Sequence, residues 1–400
     1  TDISGGAARA TYRIHNSLKS ANINSRVLVS HKLSNDESII GPDTNYEKIM
    51  VRLRMLIANY LVKFQKSQNT ILHSPAILPS LWLNKINKLD ADIVNLHWVN
   101  AEMLSIKDIP KINKPLVWTL HDMWAFCGSE HISYDKRYVI GYNSENRPIG
   151  EKGIQLNKWI WNLKNKYWKN PINIVTPSNH MAKCVKESHL MKEWPVTVIP
   201  NTIDTEVWKP IKMKLARDIM NLPNDCPIIC FGAIGINQYH KGFDILKSAL
   251  RLLRNEIKDI RLVVFGQTRP VNGDDLGFPV HYAGYLNDEI SLRLIYCSSN
   301  VMVVPSRFES FGQTASEAQA CGTPVVAFDF SGPKDIILHK ETGYLSKHCD
   351  PYDLAKGIKW TIENHESLIK KSRENAVKKF SYETVSKEYR KFYTKILCSK

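Results

Sequence analysis

The sequence predicts an α/β protein made of two doubly wound domains, each a parallel sheet covered by helices. Two observations predict it. Residues 300–328 read as one complete strand–loop–helix–strand unit. An apolar run, Val301-Met302-Val303-Val304, breaks at Pro305-Ser306, and a polar loop runs on to Gly312. A segment of helix composition spans Gln313 to Ala320, Cys321-Gly322 stops it, and a second apolar run follows at Val325-Val326-Ala327-Phe328. Strands joined through a helix are parallel, and such sheets bind ligands at their carboxyl edge. The second observation is length: 400 residues suit two domains of ordinary size, each able to bury a large core.

Taken in order, the chain opens with Thr1-Asp2-Ile3-Ser4-Gly5-Gly6, a glycine-containing loop that leads into a helix over residues 8–20. A doubly wound domain starts on a strand, so about one strand, on the order of 5–10 residues, is expected ahead of Thr1. Residues 25–31 (SRVLVSH) read as the next strand. Residues 46–67 read as an amphipathic helix whose Ile49, Leu53, Leu56, Ile57, Tyr60, Leu61 and Phe64 share a face. Lys48, Arg52, Arg54, Lys63 and Lys66 lie among them, with Glu47 the one acid. Two readings fit this pattern: a core-packed helix with a solvated basic edge, or a patch that meets anionic lipid headgroups.

Residues 91–98 and 115–120 are buried strands, and the second runs into His121-Asp122-Met123-Trp124. A histidine at a strand's carboxyl end makes His121 a site candidate. Around residues 158–169, Trp159, Trp161, Tyr167 and Trp168 alternate with lysines. That interleaving suits base stacking, a membrane interface, or a helix that packs its indoles inward. No nucleic-acid-binding motif accompanies it, so no nucleic-acid partner is expected. Strands at 173–178 and 196–199 complete the first domain.

The second domain opens on a strand at 227–232. Lys241-Gly242 then starts a helix that runs to Arg254, and a lysine there can reach a phosphate. Strands follow at 261–265 and at 280–283, the latter leading into Gly284-Tyr285-Leu286. Asp274-Asp275 sit in a glycine-rich loop and read as a turn, not as metal ligands. Glu309 lies before the helix of the 300–328 unit and Glu317 lies on it. Gly312 lets a ligand approach the backbone, and free amides at the helix start suit a phosphate. This segment can hold a sugar with Glu309, a diphosphate with Ser310 to Gln313, and a ribose with Glu317. Two surface glutamates on a capping helix are the plainer alternative. Residues 381–397 form a terminal helix.

Glu309-x7-Glu317, with Ser310-Phe311-Gly312 after the first glutamate and Cys321-Gly322-Thr323-Pro324-Val325-Val326 after the second, resembles the donor-site signature of glycosyltransferase family 4, retaining enzymes of GT-B fold. NLHWVN at 95–100 with WTLHDMWAF at 118–126 resembles the branch that extends bacterial surface and capsular polysaccharides. VTPS at 175–178 and VIPNTIDTEVWKP at 198–210 resemble further landmarks. The resemblance implies two Rossmann-like domains facing a central cleft: an acceptor-side domain over 1–205, a nucleotide-sugar donor domain over 206–380, and a terminal helix, 381–400, crossing back to the first. It also implies roles. Glu309 orients the sugar, Lys241 meets the phosphates, and His121 sits near the anomeric centre. Gly5, Gly6, Ser310, Phe311, Gly312 and Gln313 approach the donor phosphates, Glu317 holds the ribose, and Tyr285 and Leu286 lie beside the base.

The implied reaction is metal-independent, retaining transfer of a hexosyl group from a nucleotide sugar to a glycan or lipid-linked acceptor in polysaccharide or lipopolysaccharide biosynthesis. The leaving diphosphate takes the acceptor's proton, the nucleotide sugar is a substrate, and no cofactor is needed. A GT-B nucleotide-sugar epimerase and a non-enzymatic nucleotide-sugar or lipid-surface binding module are the alternatives. A dehydrogenase is disfavoured because no G-x-G-x-x-G follows a strand. The sequence departs from the family pattern twice. Many members carry an arginine where this chain has Ala233-Ile234-Gly235, so Arg307 and His240 become candidates for the missing charge. Cys127-Gly128-Ser129-Glu130-His131 starts a cysteine- and glycine-rich run but lacks its later cysteines, which leaves the acceptor pocket open.

Composition fits this reading. Hydrophobic residues at 43% and charged residues at 23% are those of a globular protein, and no apolar run approaches the roughly 20 residues of a membrane span. The eight cysteines are scattered without a C-x-x-C, so neither a disulfide framework nor a zinc site is suggested and a reducing cytoplasm fits. A formal net charge of +15 points to an anionic partner: a membrane surface, nucleic acid or a phosphorylated substrate. With the basic helix at 46–67, it leads to an expected place at the inner face of the cytoplasmic membrane.

Overall fold

The computed structural model describes every residue except 68, 233–237, 271–274, 287 and 399–400. The Ala233-Ile234-Gly235 departure and Asp274 therefore lie outside the described residues. The chain forms two compact units, Thr1–Ile199 with Ser386–Lys400, and Pro200–Val385.

The first unit is built on a four-stranded parallel sheet in the order β1 (Val94–His97), β2 (Leu116–Thr119), β3 (Asn173–Thr176), β4 (Val196–Val198). Register places His97 beside Thr119, so His97 and His121 both fall at the carboxyl edge. The last helix, Tyr382–Cys398, supplies Tyr389 and Tyr393. Their hydroxyls lie 3.4 Å from Thr119 Oγ1 and 2.9 Å from Asn95 Nδ2. Helix α1 (Gly6–Ser20) starts two residues earlier than the sequence suggests, because Arg9 N–H already bonds Gly5 O. The strand expected at 25–31 is only Val27–Leu28. It pairs in parallel with Ile39–Ile40 in a separate two-stranded sheet.

Helix α2 (Asn45–Val62) corrects the sequence reading most. Its start is well specified: Thr44 and Glu47 form a reciprocal capping box. It stops at Val62, and Gln65–Lys66 then pair antiparallel with Lys152–Gly153, which puts Lys66 on a strand. Its faces are reversed from the amphipathic expectation. Val51, Arg54 and Ala58 are buried, whereas Ile49, Leu53, Leu56, Ile57, Tyr60 and Phe64 are exposed. The cause is Arg54. Its guanidinium donates to Glu102 O (2.7 Å), Leu78 O (2.9 Å) and Pro79 O. Ala101 and Glu102 have left-handed backbone angles, φ 51° and 61°, so this turn makes no regular ladder and its carbonyls need outside donors. Val51 and Ala58, one turn to either side, are small enough to let the helix approach.

Helix α3 (Leu156–Tyr167) packs its aromatic face inward. Trp161 and Trp168 are buried. Trp168 meets Trp118 edge-on at 5.2 Å, and Trp159 alone of the three points out. Lys164 is fully buried. Its ammonium donates to Gly128 O (2.6 Å), Cys127 O (3.1 Å) and Trp124 O and sits 3.7 Å from the Trp124 ring centroid. Base stacking and a membrane interface are thereby set aside for this segment.

The second unit holds a six-stranded, wholly parallel sheet. Its strands are β5 (Ile228–Gly232), β6 (Arg261–Phe265), β7 (Val280–Gly284), β8 (Val301–Val304), β9 (Val325–Phe328) and β10 (Gly343–Ser346), in the order β7-β6-β5-β8-β9-β10. Both faces are covered, so strand residues alternate between two cores. Ile228 and Cys230 join helices α5 (Glu289–Ser298), α6 (Gln313–Ala320) and α8 (His365–Phe380) on one side. Ile229 and Phe231 join α4 (Phe243–Leu253) and α7 (Pro351–Glu363) on the other. The units divide after Ile199 and Val385 and not at 205 and 380, because Thr202 and Ile203 both bond Phe380 O and so stay with α8. No helix among the described residues is long and apolar enough to cross a membrane.

Arg54→Ala is expected to destabilise the first unit by about 3 kcal/mol, because several buried carbonyls lose their donors. The exposed neighbour Arg52→Ala stays within about 0.5 kcal/mol. Thermal unfolding checks this: a melting temperature that falls equally for both variants contradicts the anchoring role.

Candidate active site

In the second sheet the winding reverses between β5 and β8, which are hydrogen-bonded neighbours. In an open α/β sheet the crevice at such a reversal is where ligands bind. The loops leaving these two strands deliver Lys241 and Glu309. Lys241 Nζ donates to Glu309 Oε1 at 2.7 Å, and Ser306 Oγ donates to the same oxygen at 2.9 Å. Glu309 N–H bonds Ser331 Oγ at 3.1 Å, while Glu309 O accepts from Gly332 N–H at 2.9 Å. Burial pushes the Glu309 carboxyl up, but the Lys241 ammonium beside it outweighs burial and holds it below its ordinary range. The two loops meet only because residue 242 is glycine. Gly242 has φ 64°, and a Cβ there would lie 2.0 Å from Pro305 O.

Helix α6 begins directly after this loop. Gly312, its N-cap, has φ 101° and is packed against Pro333. Glu317, one turn and a half along, is 5% exposed and accepts from Tyr296 Oη at 3.0 Å. Burial and the Glu317 carboxylate both push the Tyr296 hydroxyl far above its usual range, so it stays a donor. Lys241, Glu309, Gly312 and Glu317 thus belong to one unit. Ser310 and Gln313 lie to either side of Gly312, and both are engaged by neighbours.

Other expected residues fall differently. Phe311 is buried and packs edge-on against Phe380 at 5.5 Å, so its ring is a core element and not a ligand contact. Leu286 packs against the same core, whereas Tyr285, just past β7, is 67% exposed. Arg307 is not a spare cation: it makes two bonds to Asp244, at 2.8 and 2.6 Å, and stacks over Tyr239 at 4.1 Å. His240 is buried beside the Lys241–Glu309 pair, and its Nδ1 has no hydrogen-bond partner. Asp275 accepts from Gly277 N–H and shapes a turn. Gly5 is an exposed N-cap at φ 95°, and Gly6 opens α1.

The first unit holds a second cluster at the carboxyl edge of β1 and β2. His97 Nδ1 and His121 Nε2 are 3.0 Å apart. Burial lowers both imidazoles, His121 to about 4, so His121 is neutral near pH 7. Asp122 Oδ2 lies 2.6 Å from His131 Nδ1, and His131 Nε2 lies 2.8 Å from Ser74 Oγ. Burial raises Asp122, but His131 outweighs it and keeps the carboxyl below its ordinary range. A small hollow beside this cluster is lined by Trp98, Asn100, Trp118, Leu120, His121, Asp122, Trp124 and Ala125. Sequence reasoning singled out His121 and missed His97, His131, Lys164 and Tyr296 as its supports and those of Glu317. For His97 a signal was present, since a histidine lies at or just past the end of each of two adjacent strands. For Lys164 and Tyr296 none was, because their partners lie on other elements; His131 lies in the same loop as Asp122, but nothing in the residue pattern pairs them.

Comparison with known proteins gives the same picture. Residues 4–207 match the model of Glycosyltransferase Family 4, and residues 216–379 match that of group 1 glycosyl transferases. A D-inositol 3-phosphate glycosyltransferase of Xylanimonas cellulosilytica is 34% identical over 172 residues, 39% of this chain and 40% of that one. The capsular polysaccharide biosynthesis glycosyltransferase CapM of Staphylococcus aureus is 26% identical over 240 residues, 56% of this chain and 62% of that one. The chain spans less than half the length of the first curated relatives it matches. Among solved structures, sucrose-phosphate synthase from Thermosynechococcus elongatus superposes with a TM-score of 0.68 at 19% identity, covering 99% of this chain and 94% of that one. HepE of Anabaena, solved with UDP and glucose, gives 0.65 at 16%, covering 98% and 97%. At such identities the likeness is one of fold, and that fold is GT-B. The family-4 model alone spans more than half of the residues, and the chain belongs to glycosyltransferase family 4.

Proposed function

We propose that this chain transfers a hexosyl group from a nucleotide-sugar donor to a glycan or lipid-linked acceptor in surface polysaccharide biosynthesis, with retention and without a divalent metal. The observation that carries the proposal is the Lys241–Glu309 pair at the winding reversal of the second sheet, with Glu317 on the helix that follows. The pair supplies opposite charges at one spot. The carboxylate orients sugar hydroxyls, and the ammonium, together with the amides that start α6, stabilises the charge that develops on the leaving diphosphate. That diphosphate takes the acceptor's proton, so no second protein carboxylate is needed as base. Buried Glu317, fixed by Tyr296, holds a ribose hydroxyl pair. Neutral His121 acts on the sugar as a hydrogen-bonding group and not as a charge. HepE, of the same fold, is solved with UDP and glucose, and CapM is named for capsular polysaccharide; both support the substrate class. The +15 charge supports work at the cytoplasmic, anionic face of a membrane, where a lipid-linked acceptor lies.

The direct test is a screen of nucleotide sugars for release of the nucleotide, with the product's anomeric configuration read by NMR and a chelator in a parallel arm. Release with retention, unchanged by the chelator, is expected. An inverted product, or turnover abolished by the chelator and restored by magnesium or manganese, refutes those parts of the reading. An epimerised sugar without transfer replaces it with the epimerase alternative.

Glu317→Ala should weaken nucleotide binding by about 10- to 100-fold, the worth of a charge-assisted bond of roughly 1.5–3 kcal/mol. Unchanged affinity by calorimetry removes the ribose assignment. The pH dependence carries a sign. The fold holds His121 near 4, below the ordinary value of about 6.5. The unfolded chain therefore gains this proton first as pH falls, and stability present above about 6.5 is lost on the way down to about 4. The kcat/KM profile should show no histidine limb near 6.5. A limb there that His121→Asn abolishes contradicts the neutral role.

A further inference from the structure

The outward face of α2 is left without a task by the site described above. Ile49, Leu53, Leu56, Ile57 and Tyr60 recur at three- and four-residue spacing, so they form one stripe opposite Val51, Arg54 and Ala58. They are 63%, 45%, 65%, 46% and 63% exposed. Tyr46 extends the stripe at its start. Phe64, edge-on to Tyr60 at 5.0 Å, extends it past the end. Lys48, Arg52, Lys63 and Lys66 are all exposed around it. The one acid of the helix, Glu47, is turned back onto the Asp43 and Thr44 amides by the capping box. An apolar stripe with aromatic residues at both ends, a basic border and no outward acid has the chemistry of a helix that lies in a membrane interface.

We infer that α2 seats this stripe at the headgroup–acyl boundary of an anionic bilayer leaflet, with Ile49, Leu53, Leu56, Ile57 and Tyr60 entering the leaflet and Lys48, Arg52 and Lys63 at the headgroups. This rests on the proposed reading that the acceptor is met at a membrane, and it changes the mode of attachment from charge alone to charge plus insertion. Charge also selects the occupant. A two-fold contact with a second copy would set the stripe against itself and bring basic borders together with no acid to pair them. A leaflet carrying anionic lipid meets both the apolar stripe and its border. Arg54 takes no part, since its guanidinium is buried on the opposite face.

The test is co-sedimentation of the full chain with vesicles of phosphatidylcholine plus phosphatidylglycerol, and with vesicles of phosphatidylcholine alone. The expected result is binding to the anionic vesicles that salt weakens but does not abolish. Leu56→Ser with Tyr60→Ser should weaken it about tenfold or more, and Arg52→Ala or Lys63→Ala about fivefold each. All these residues are exposed, so melting temperatures should stay at the wild-type value. Tyr60→Trp supplies a readout of insertion: the emission of the added indole shifts to the blue and is quenched by brominated lipid. Vesicle binding unchanged by Leu56→Ser with Tyr60→Ser, or no quenching of the indole in the Tyr60→Trp variant, overturns insertion while leaving charge-driven attachment in place. No binding to either vesicle overturns both. A dimer in sedimentation that the serine variant dissolves, without vesicle binding, gives the face to a second copy. Nucleotide-sugar turnover, measured alongside without vesicles, is unaffected by these variants, so failure of the transferase reading is seen separately.

Discussion

The second unit depends on one close approach, between Gly242, ahead of α4, and Pro305, just past β8. Strands β5 and β8 are neighbours at a reversal of winding, the place where an open α/β sheet binds ligands. The touching point is Gly242 against Pro305, where any side chain would collide with the backbone. From it follow the Lys241–Glu309 ion pair, the second bond from Ser306, and the Ser331 and Gly332 contacts that hold the Glu309 backbone. A part-buried ion pair is a weak source of stability once desolvation is counted. Its value here is positional, since it fixes a carboxylate and an ammonium before any ligand arrives.

The first unit achieves fixity differently, by burying polar groups with their partners. Lys164 holds carbonyls of residues 124, 127 and 128, and so braces the loop that follows His121. Burial lowers this ammonium to about 7, while the nearby acidic groups, Glu130 and Asp122 among them, act in the opposite direction. His131 holds Asp122, and His97 holds His121. In a low-dielectric interior such networks are stiff when every member is paired and costly when one is not. This is why a loop rich in turns can present His121 in one orientation. Asp2 does the same at the start of the chain, accepting from the Leu33 and Ser34 amides at 2.9 Å each.

Arg54 joins the fold to the surface. A basic residue in the middle of an apparent basic edge is, in the folded unit, the buried anchor of α2. Turning that residue inward turns the apolar residues outward. One arginine, claimed by the carbonyls of an irregular turn, therefore decides which face of an 18-residue helix the protein offers to its surroundings.

By itself the sequence determined the α/β class, the strand–helix–strand unit at 300–328 and most of the sheet strands to within a few residues. These signals are local. Apolar runs, glycine and proline breaks and the two-glutamate spacing act within about thirty residues, and the two glutamates gain weight from their family pattern. The tertiary structure decided what local pattern cannot carry. The amphipathic pattern of residues 46–67 gave a helix but left open whether its apolar stripe meets the core, because the period of a helix does not say which stripe is buried when a distant turn needs a donor. Arg307 looked like a spare charge until Asp244 took it, and the ring of Phe311 turns into the core against Phe380. Tyr296 on Glu317 and Lys164 under the His121 loop are pairings between residues on separate elements. Such pairings exist only once the sheets have brought the elements together, so burial and partnership, not residue type, settled them.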